Sequence, residues 1–286
     1  MIDIKQCRKI NLSKTATVAC QGVQGAYSQI AANAVVEQPE IMYMRTFDGV
    51  FRAVDNGLCQ YGILPVENSN AGSVSDVYDL MKIHRFHIVR SVKVSIFHML
   101  LSKEKISAAD IKEIYTHEQA AKQCSKFLEQ NSHIKINICA NTAAAAQLVA
   151  ESGRNDIAAI ASENCIQLYN LTASAKNIQN NNNNYTRFIC ISKECEIFDN
   201  ADKISIMLTL EHKAGSLYEV IKQFAKAQLN LTKIESRPIA DTNFEFMFYF
   251  DIQANAENEA VYDLLLELEK SVSQFAFLGN YSEITA

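Results

Sequence analysis

The chain has 286 residues, of which 48% are hydrophobic and 21% charged, and its formal net charge is −5. That length exceeds what one compact core usually fills, so two or three folding units are expected. The charge provides no basic field for a nucleic-acid backbone, no stretch approaches the roughly 18 apolar residues of a membrane span, and any anion site must be built locally.

Residues 1–14 lack the apolar core of a secretory signal. Eight cysteines (7, 20, 59, 124, 139, 165, 190 and 195) include no CxxC pair, and several sit in apolar runs. They read as buried thiols of a reducing compartment, and the protein as cytoplasmic.

From Thr15 onward, short apolar strands alternate with helical patterns, which predicts an α/β layer with a largely parallel sheet. Residues 17–20 read as a strand, 22–25 as a turn and 26–32 as a helix start. A strand at 41–45 precedes a helix at 47–54, which Gly57 stops as a left-handed cap. The strand 61–66 runs into the polar turn 67–72, and Ser73 is placed to cap a helix whose Val74, Val77, Tyr78 and Met81 share one face. His84 and His87 stand three apart on a helix without a third ligand, so no metal site is expected. Residues 88–101 form a long strand or a crossover between lobes. Strands at 111–115, 134–139 and 156–161 then alternate with helices at 119–129 and 142–150.

Two α/β lobes joined by two crossings leave a cleft, and ligands of open α/β sheets sit at the carboxyl ends of strands. The turns 22–25, 67–72 and 116–119 follow strands there. Asn184-Tyr185-Thr186-Arg187-Phe188 enters the apolar run Ile189-Cys190-Ile191 and brings a hydroxyl, a fixed cation and an aromatic ring to a strand's mouth, a set suited to an anionic substrate. Asn180, Asn181, Asn182 and Asn183 before it read as loop. After a polar linker at 199–202 come a strand (203–210), a helix bearing Leu217, Val220, Ile221 and Phe224 on one face, strands at 231–236 and 244–251, a helix with Val261, Leu264, Leu265 and Leu268, and a strand at 275–278. That βαββαβ order is ferredoxin-like. Phe244, Phe246, Phe248 and Phe250 alternate into one aromatic face, read as core beneath helices.

The ordered motifs Gly22-Val23-Gln24-Gly25-Ala26-Tyr27-Ser28, Pro65-Val66-Glu67-Asn68-Ser69, Thr116-His117-Glu118-Gln119-Ala120 and Asn184-Tyr185-Thr186-Arg187-Phe188 closely resemble those of prephenate dehydratases, from about residue 15 to the C-terminus. The resemblance implies a two-lobed catalytic domain like a type 2 periplasmic-binding-protein fold at 15–198, with its second lobe at about 97–170, and a ferredoxin-like ACT regulatory domain at 203–286. It implies decarboxylating dehydration of prephenate to phenylpyruvate, phenylalanine as effector, and a homodimer or homotetramer in which oligomerisation covers the aromatic face and strand edges of the small domain. No cofactor is implied, because aromatisation drives the reaction. Catalysis is assigned to Thr186, Asn68 and Gln119. Substrate binding falls to Arg187, expected on the pyruvyl carboxylate, with Phe188, Ser69, Thr116, Gly25, Ser28 and Glu67. Effector binding falls to Gly215, Ser216, Leu217, Glu235, Ser236 and Arg237. Glu118 departs from a usual proline, and Ser216 and Tyr218 from small alanines. Two alternatives stand beside this reading: arogenate dehydration, the same elimination on the amino analogue, and an amino-acid-binding regulator without turnover.

Overall fold

A computed structural model describes residues 7–9, 14–239 and 245–286, so Phe244 and most of residues 1–14 lie outside the described residues. The first lobe is built on a sheet in the order Glu283–Thr285, His87–Ser95, Tyr185–Ser192, Tyr61–Asn68, Thr15–Gln21, Gln38–Met44. Tyr61–Asn68 is an almost unbroken apolar run because both its faces are covered. Helix Tyr27–Val35 packs with Val18, Cys20 and Ile63 on one side, and helix Phe47–Asp55 with Leu64, Val66 and Ile189 on the other. The second helix approaches closely because Gly62 has no side chain: a Cβ there would stand 2.8 Å from Val50 Cγ1. Its ends follow from its sequence. The Thr46 hydroxyl accepts from the Gly49 amide at 3.1 Å, and Gly57 takes the left-handed conformation at φ +70°.

Ser73 does not cap the next helix. Residues Gly72–Ser73 fold back and pair with the end of strand Tyr61–Asn68, and the helix begins at Ser75 without a side-chain cap. Its Val77, Tyr78 and Met81 are buried. The helix ends at Met81, so His84 and His87 are not on it: His84 stacks on Phe51 and binds Asp48 at 2.8 Å, while His87 opens a strand.

The second lobe has the sheet order Thr172–Ala175, Met99–Ser102, Ile157–Ala161, Glu113–Thr116, Lys135–Ile138. The helix expected at 119–129 is two short ones, Glu118–Gln123 and Ser125–Gln130, meeting at buried Cys124. Asn180 holds the break: its Oδ1 accepts from Lys126 N at 3.1 Å, its Nδ2 donates to Ser125 Oγ at 2.9 Å, and its amide donates to Gln123 O at 2.7 Å. The asparagine run is therefore the returning crossing, docked on the second lobe. The outgoing crossing lies between His87–Ser95 and Met99–Ser102, and the two are laced by Ile178 N to His98 O (3.0 Å) and Ile96 N to Asn184 O (2.8 Å).

The third unit is a four-stranded sheet in the order Asn230–Pro238, Phe246–Gln253, Lys203–Thr209, Gln274–Tyr281, all antiparallel pairs. Counted along the unit, that is 2-3-1-4, the ferredoxin-like arrangement. Phe248 and Phe250 pack with Phe224 and Leu265 of helices Ser216–Lys226 and Glu259–Ser271. Met247, Tyr249, Leu278 and Tyr281 on the opposite face share a core with Val77, Tyr78 and Ile88 of the first lobe. The face toward the first lobe is thus covered within one chain; on the aromatic face Phe250 is buried, Phe246 and Phe248 are half-buried, and Ile234 of the edge strand is exposed. Where the two units touch, a Cβ at Gly279 (φ +156°) would collide with the Ile88 carbonyl.

Two long-range ties escape sequence reading. Strand Glu283–Thr285 continues past the small unit and pairs in parallel with His87–Ser95. Cys7 and Cys195 form a disulfide beside the parallel pair Arg8–Lys9 and Glu196–Ile197. Those two are not free thiols. Cys20, Cys59, Cys124, Cys165 and Cys190 are free and buried, with Cys139 free and half-buried.

Candidate active site

A cleft of about 510 Å³ opens between the two lobes. Strands Tyr61–Asn68 and Tyr185–Ser192 form its floor, paired with Thr186 opposite Asn68. Side chains alternate along an extended strand, so Thr186 and Phe188 line the cleft and Arg187 points behind it.

Asn68 is fixed by its backbone neighbours. Its Oδ1 accepts from Asn70 N at 3.1 Å and Ala71 N at 3.0 Å, an Asx turn that decides which end of the amide is oxygen. Its Nδ2 then faces Thr186 Oγ1 at 3.0 Å, Asn184 Oδ1 at 2.9 Å and Tyr185 O at 3.1 Å. Because the Thr186 oxygen accepts from Asn68, its own hydrogen is not spent on that contact and is available to a ligand in the cleft that Thr186 lines. From the second lobe, Gln123 Nε2 lies 3.4 Å from Asn68 Oδ1, and Gln123 Oε1 is 2.8 Å from His98 Nε2.

Among the described residues, those lining the cleft include no lysine, arginine, aspartate or glutamate. Burial lowers the pKa of His98 and of His117, against a hydrogen bond to Gln123 and the nearby charge of Glu118 respectively, so both are neutral near pH 7. Positive potential comes from helix ends instead. Ala26, Tyr27 and Ser28 stand at the start of helix Tyr27–Val35, and Asn141 and Thr142 at the start of helix Thr142–Glu151, on opposite walls.

Several expected site residues are elsewhere. Arg187, 8% exposed, places Nη1 2.6 Å from Asp251 Oδ2 and Nε 3.4 Å from Glu67 Oε2. Burial works against its charge, but Asp251 together with the Tyr281 and Tyr78 side chains outweighs that and its pKa is raised. Glu67 turns the same way and meets Lys233 Nζ at 3.0 Å. Thr116 is fully buried and donates to Ile160 O at 3.2 Å. The Ser69 hydroxyl accepts from Tyr185 N at 3.0 Å and so supports the turn before Thr186. Gly25 is a lobe contact: its amide is taken by Gln29 Oε1 at 2.7 Å, and a Cβ would press on Cys165 Sγ (3.1 Å) and Leu168 Cδ2 (3.0 Å) of the second lobe. Ser28 lines the cleft while its hydroxyl donates to Gln21 O at 2.8 Å. Gln119 also lines it, but the glutamine that reaches Asn68 is Gln123, one helical turn later. Gln123 was legible as the i+4 neighbour of Gln119; nothing in the sequence marked His98.

A family model described as prephenate dehydratase matches residues 18–196. The chain belongs to the prephenate dehydratase family. It is 36% identical over 275 residues to arogenate dehydratase/prephenate dehydratase 2, chloroplastic, of Arabidopsis thaliana, covering 92% of this chain and 72% of that one. Among solved structures it resembles prephenate dehydratase from Arthrobacter aurescens in complex with L-Phe, at a TM-score of 0.84 and 27% identity over 93% of this chain and 90% of that chain. It resembles similarly a protein described as a quorum-quenching acylase, GqqA, at a TM-score of 0.83 and 27% identity over 93% of this chain and 97% of that chain.

The motif assigned to the effector in the prephenate dehydratase family does not lie in one place within this chain. Ser216 and Leu217, after Gly215 at φ +90°, border a pocket of about 150 Å³ with Phe246 and Phe248. Glu235 and Arg237, on edge strand Asn230–Pro238, face the first lobe: Ser73 Oγ donates to Glu235 Oε2 at 2.6 Å, and Arg237 grips Asp79 through Nη2–Oδ2 at 2.7 Å and Nε–Oδ1 at 3.1 Å. Ser236 between them is exposed. Among the described residues, no group of three or more His, Cys, Asp or Glu is placed to hold a metal ion, and no helix is long and apolar enough to cross a membrane.

Proposed function

We propose that this chain converts prephenate to phenylpyruvate, a carbon–oxygen lyase step of phenylalanine biosynthesis. The observation that carries this reading is the Asn68–Thr186 pair, in which the Thr186 hydroxyl accepts from Asn68 and keeps its hydrogen available to a ligand, in a cleft lined by neutral donors and helix N-termini. In the reaction, the bond from the ring to its carboxylate breaks, that electron pair enters the ring, and the ring C–O bond breaks. Carbon dioxide leaves, and the departing hydroxide takes a proton to become water.

An aliphatic hydroxyl is too weak an acid to release its proton at pH 7. The role of Thr186 is a hydrogen bond that strengthens as the leaving oxygen gains charge, an effect worth about 10²–10³ in rate for such preorganised donors. The absence of a cationic side chain from the lining fits the other half of the chemistry. A fixed cation on the ring carboxylate would stabilise the ground state more than a transition state in which that charge is leaving. The pyruvyl carboxylate is held by backbone amides at Tyr27–Ser28 or Asn141–Thr142, in place of Arg187.

The lining offers no carboxylate to receive the ammonium of arogenate, which favours prephenate. An acylase reading lacks a hydroxyl paired with a histidine there: Ser28 donates to Gln21 O and Ser73 to Glu235. Residues 203–286 act as an ACT domain that binds phenylalanine between two subunits of a homodimer or homotetramer, in the cytoplasm. Measuring kcat/KM for phenylpyruvate formation from prephenate and phenylalanine formation from arogenate, each with and without added phenylalanine, tests both parts. No turnover of prephenate overturns the first, and a rate indifferent to phenylalanine the second.

A further inference from the structure

We propose that His98 is the positioning residue that holds Gln123 against Asn68 across the cleft floor, and that it does so as the neutral Nε2–H tautomer; its catalytic consequence rests on Asn68 and Thr186 being the reacting end of the cleft. His98 sits in the outgoing crossing and is 2% exposed. Its backbone is pinned on both sides by the returning crossing, with its amide donating to Gln179 Oε1 at 3.0 Å and its carbonyl accepting from Ile178 N at 3.0 Å. The first lobe holds the same segment, because the Tyr27 hydroxyl donates to Phe97 O at 2.6 Å and the Tyr27 ring meets the His98 ring edge-on.

The side chains then form a directed chain. Asn68 Oδ1 is an acceptor, fixed by two backbone donors, so the Gln123 amide turns its nitrogen toward Asn68 and its oxygen away. That oxygen only accepts, so the hydrogen in the 2.8 Å contact with His98 belongs to His98 Nε2. His98 Nδ1 is buried without a hydrogen-bond partner in the structure, which fits the ring nitrogen that lacks a hydrogen. His98 thus orients Gln123, and Gln123 shares the oxygen of the amide that orients Thr186. Without the His98 donor, only the long 3.4 Å contact with Asn68 Oδ1 holds the Gln123 amide in this orientation. The residue joins hinge to site: its backbone belongs to a crossing, and its side chain sets a cleft amide of the second lobe.

The test has a readout apart from turnover. Long-range proton–nitrogen correlation spectra of the ligand-free protein should show His98 as the Nε2–H tautomer, with that preference weakened in Gln123→Met. In kinetics with prephenate, His98→Leu should lower kcat about 10- to 100-fold with KM changed less than about 3-fold, at an unchanged Tm. His98→Gln, whose amide nitrogen can stand where Nε2 stood, should recover most of the rate. In a Gln123→Met background His98→Leu should add almost nothing, since both remove the same contact. An Nδ1–H tautomer, or kinetic losses that multiply, overturns the proposal. If His98→Leu does not fold, the tautomer spectrum and His98→Gln decide. If the wild-type protein turns over neither prephenate nor arogenate, the functional reading fails while the tautomer still decides the positioning role.

Discussion

Arg187 and Asp251 meet 2.6 Å apart behind the strand whose opposite face presents Thr186 to the cleft. The cation next to Thr186 in the chain is therefore a brace between the first lobe and the small unit. Ser205 Oγ also donates to Asp251, at 2.5 Å, from a strand of that unit. Removing one member strands a buried charge, which typically costs about 3–5 kcal/mol. Arg187→Met is expected to lower stability by that order, and Arg187→Met with Asp251→Leu by less. The soluble fraction of Arg187→Met should keep a KM for prephenate within about 3-fold of wild type. A salt bridge to a substrate carboxylate, worth about 1.5–3 kcal/mol, would instead raise KM roughly 10- to 150-fold. Denaturant unfolding and steady-state kinetics on the same preparations separate the two.

The fold was legible wherever a periodic pattern met its own neighbours. Gly57 ended its helix, Val77, Tyr78 and Met81 formed one buried face, and the βαββαβ unit took its expected strand order. What failed involves partners distant in the chain. Cys7 lies 188 residues from Cys195, and Glu283–Thr285 pairs with a strand near residue 90, so no local pattern announces either. Arg187 is a different miss. Strand alternation already separated it from Thr186 and Phe188, yet both the residue reading and the family motif put all three at one anion site. Gln119 and Gln123 share a helical face, and which one reaches Asn68 depends on how the second lobe docks.

Thr186 and Asn68 form the pair on which activity is expected to depend most. Thr186→Val should keep the fold and lower kcat about 10²–10³-fold, while Thr186→Ser, which keeps the hydroxyl, should retain part of it. Asn68→Asp is the more telling change, because it conserves shape and removes the donor. The threonine hydrogen would then turn back onto the new carboxylate and leave the cleft. Near pH 7 kcat should fall as in Thr186→Val and partly recover on acidification, when the carboxyl can donate again. A pH–rate profile of Asn68→Asp parallel to wild type would remove the orienting role.

The C-terminal strand ties the small unit to the first lobe through a charged joint with a defined pH dependence. Burial would raise the pKa of Glu283, but hydrogen bonds from Lys93 (2.8 Å) and Ser91 (2.7 Å), with the charge of Lys203 at 3.0 Å, bring it down to about 2. A depressed carboxyl pKa stabilises the folded state above the ordinary value near 4.5, and that stability is lost as pH falls toward 2. Between about pH 4.5 and 2, exchange of the Ser91 and Ser95 amides, which donate to Ser282 O and Ala286 O, should quicken, and Glu283→Gln should show faster exchange already at pH 7 with a flatter response to acid. Hydrogen exchange across that range checks both.

Regulation gives the last prediction, because residues assigned to the effector are already engaged with the catalytic lobe. Arg237 holds Asp79 in a two-point grip that draws the Asp79 carboxyl down to about 2, and Glu235 accepts from Ser73, which itself lines the cleft. Any ligand that recruits Arg237 or Glu235 must share or break these contacts, so occupancy of the small domain and the position of the 68–73 turn are energetically linked. Coupling of this kind is typically about 1–3 kcal/mol, or 5- to 150-fold, and acts equally in both directions. Asp79→Ala frees Arg237 in advance. It should bind phenylalanine more tightly, because no ion pair has to be given up, and should be inhibited less completely at saturation, because binding no longer changes the lobe contact. Calorimetric titration with phenylalanine beside an inhibition curve with prephenate reads the two effects separately. Unchanged affinity together with unchanged maximal inhibition would place the Asp79–Arg237 contact outside the coupling.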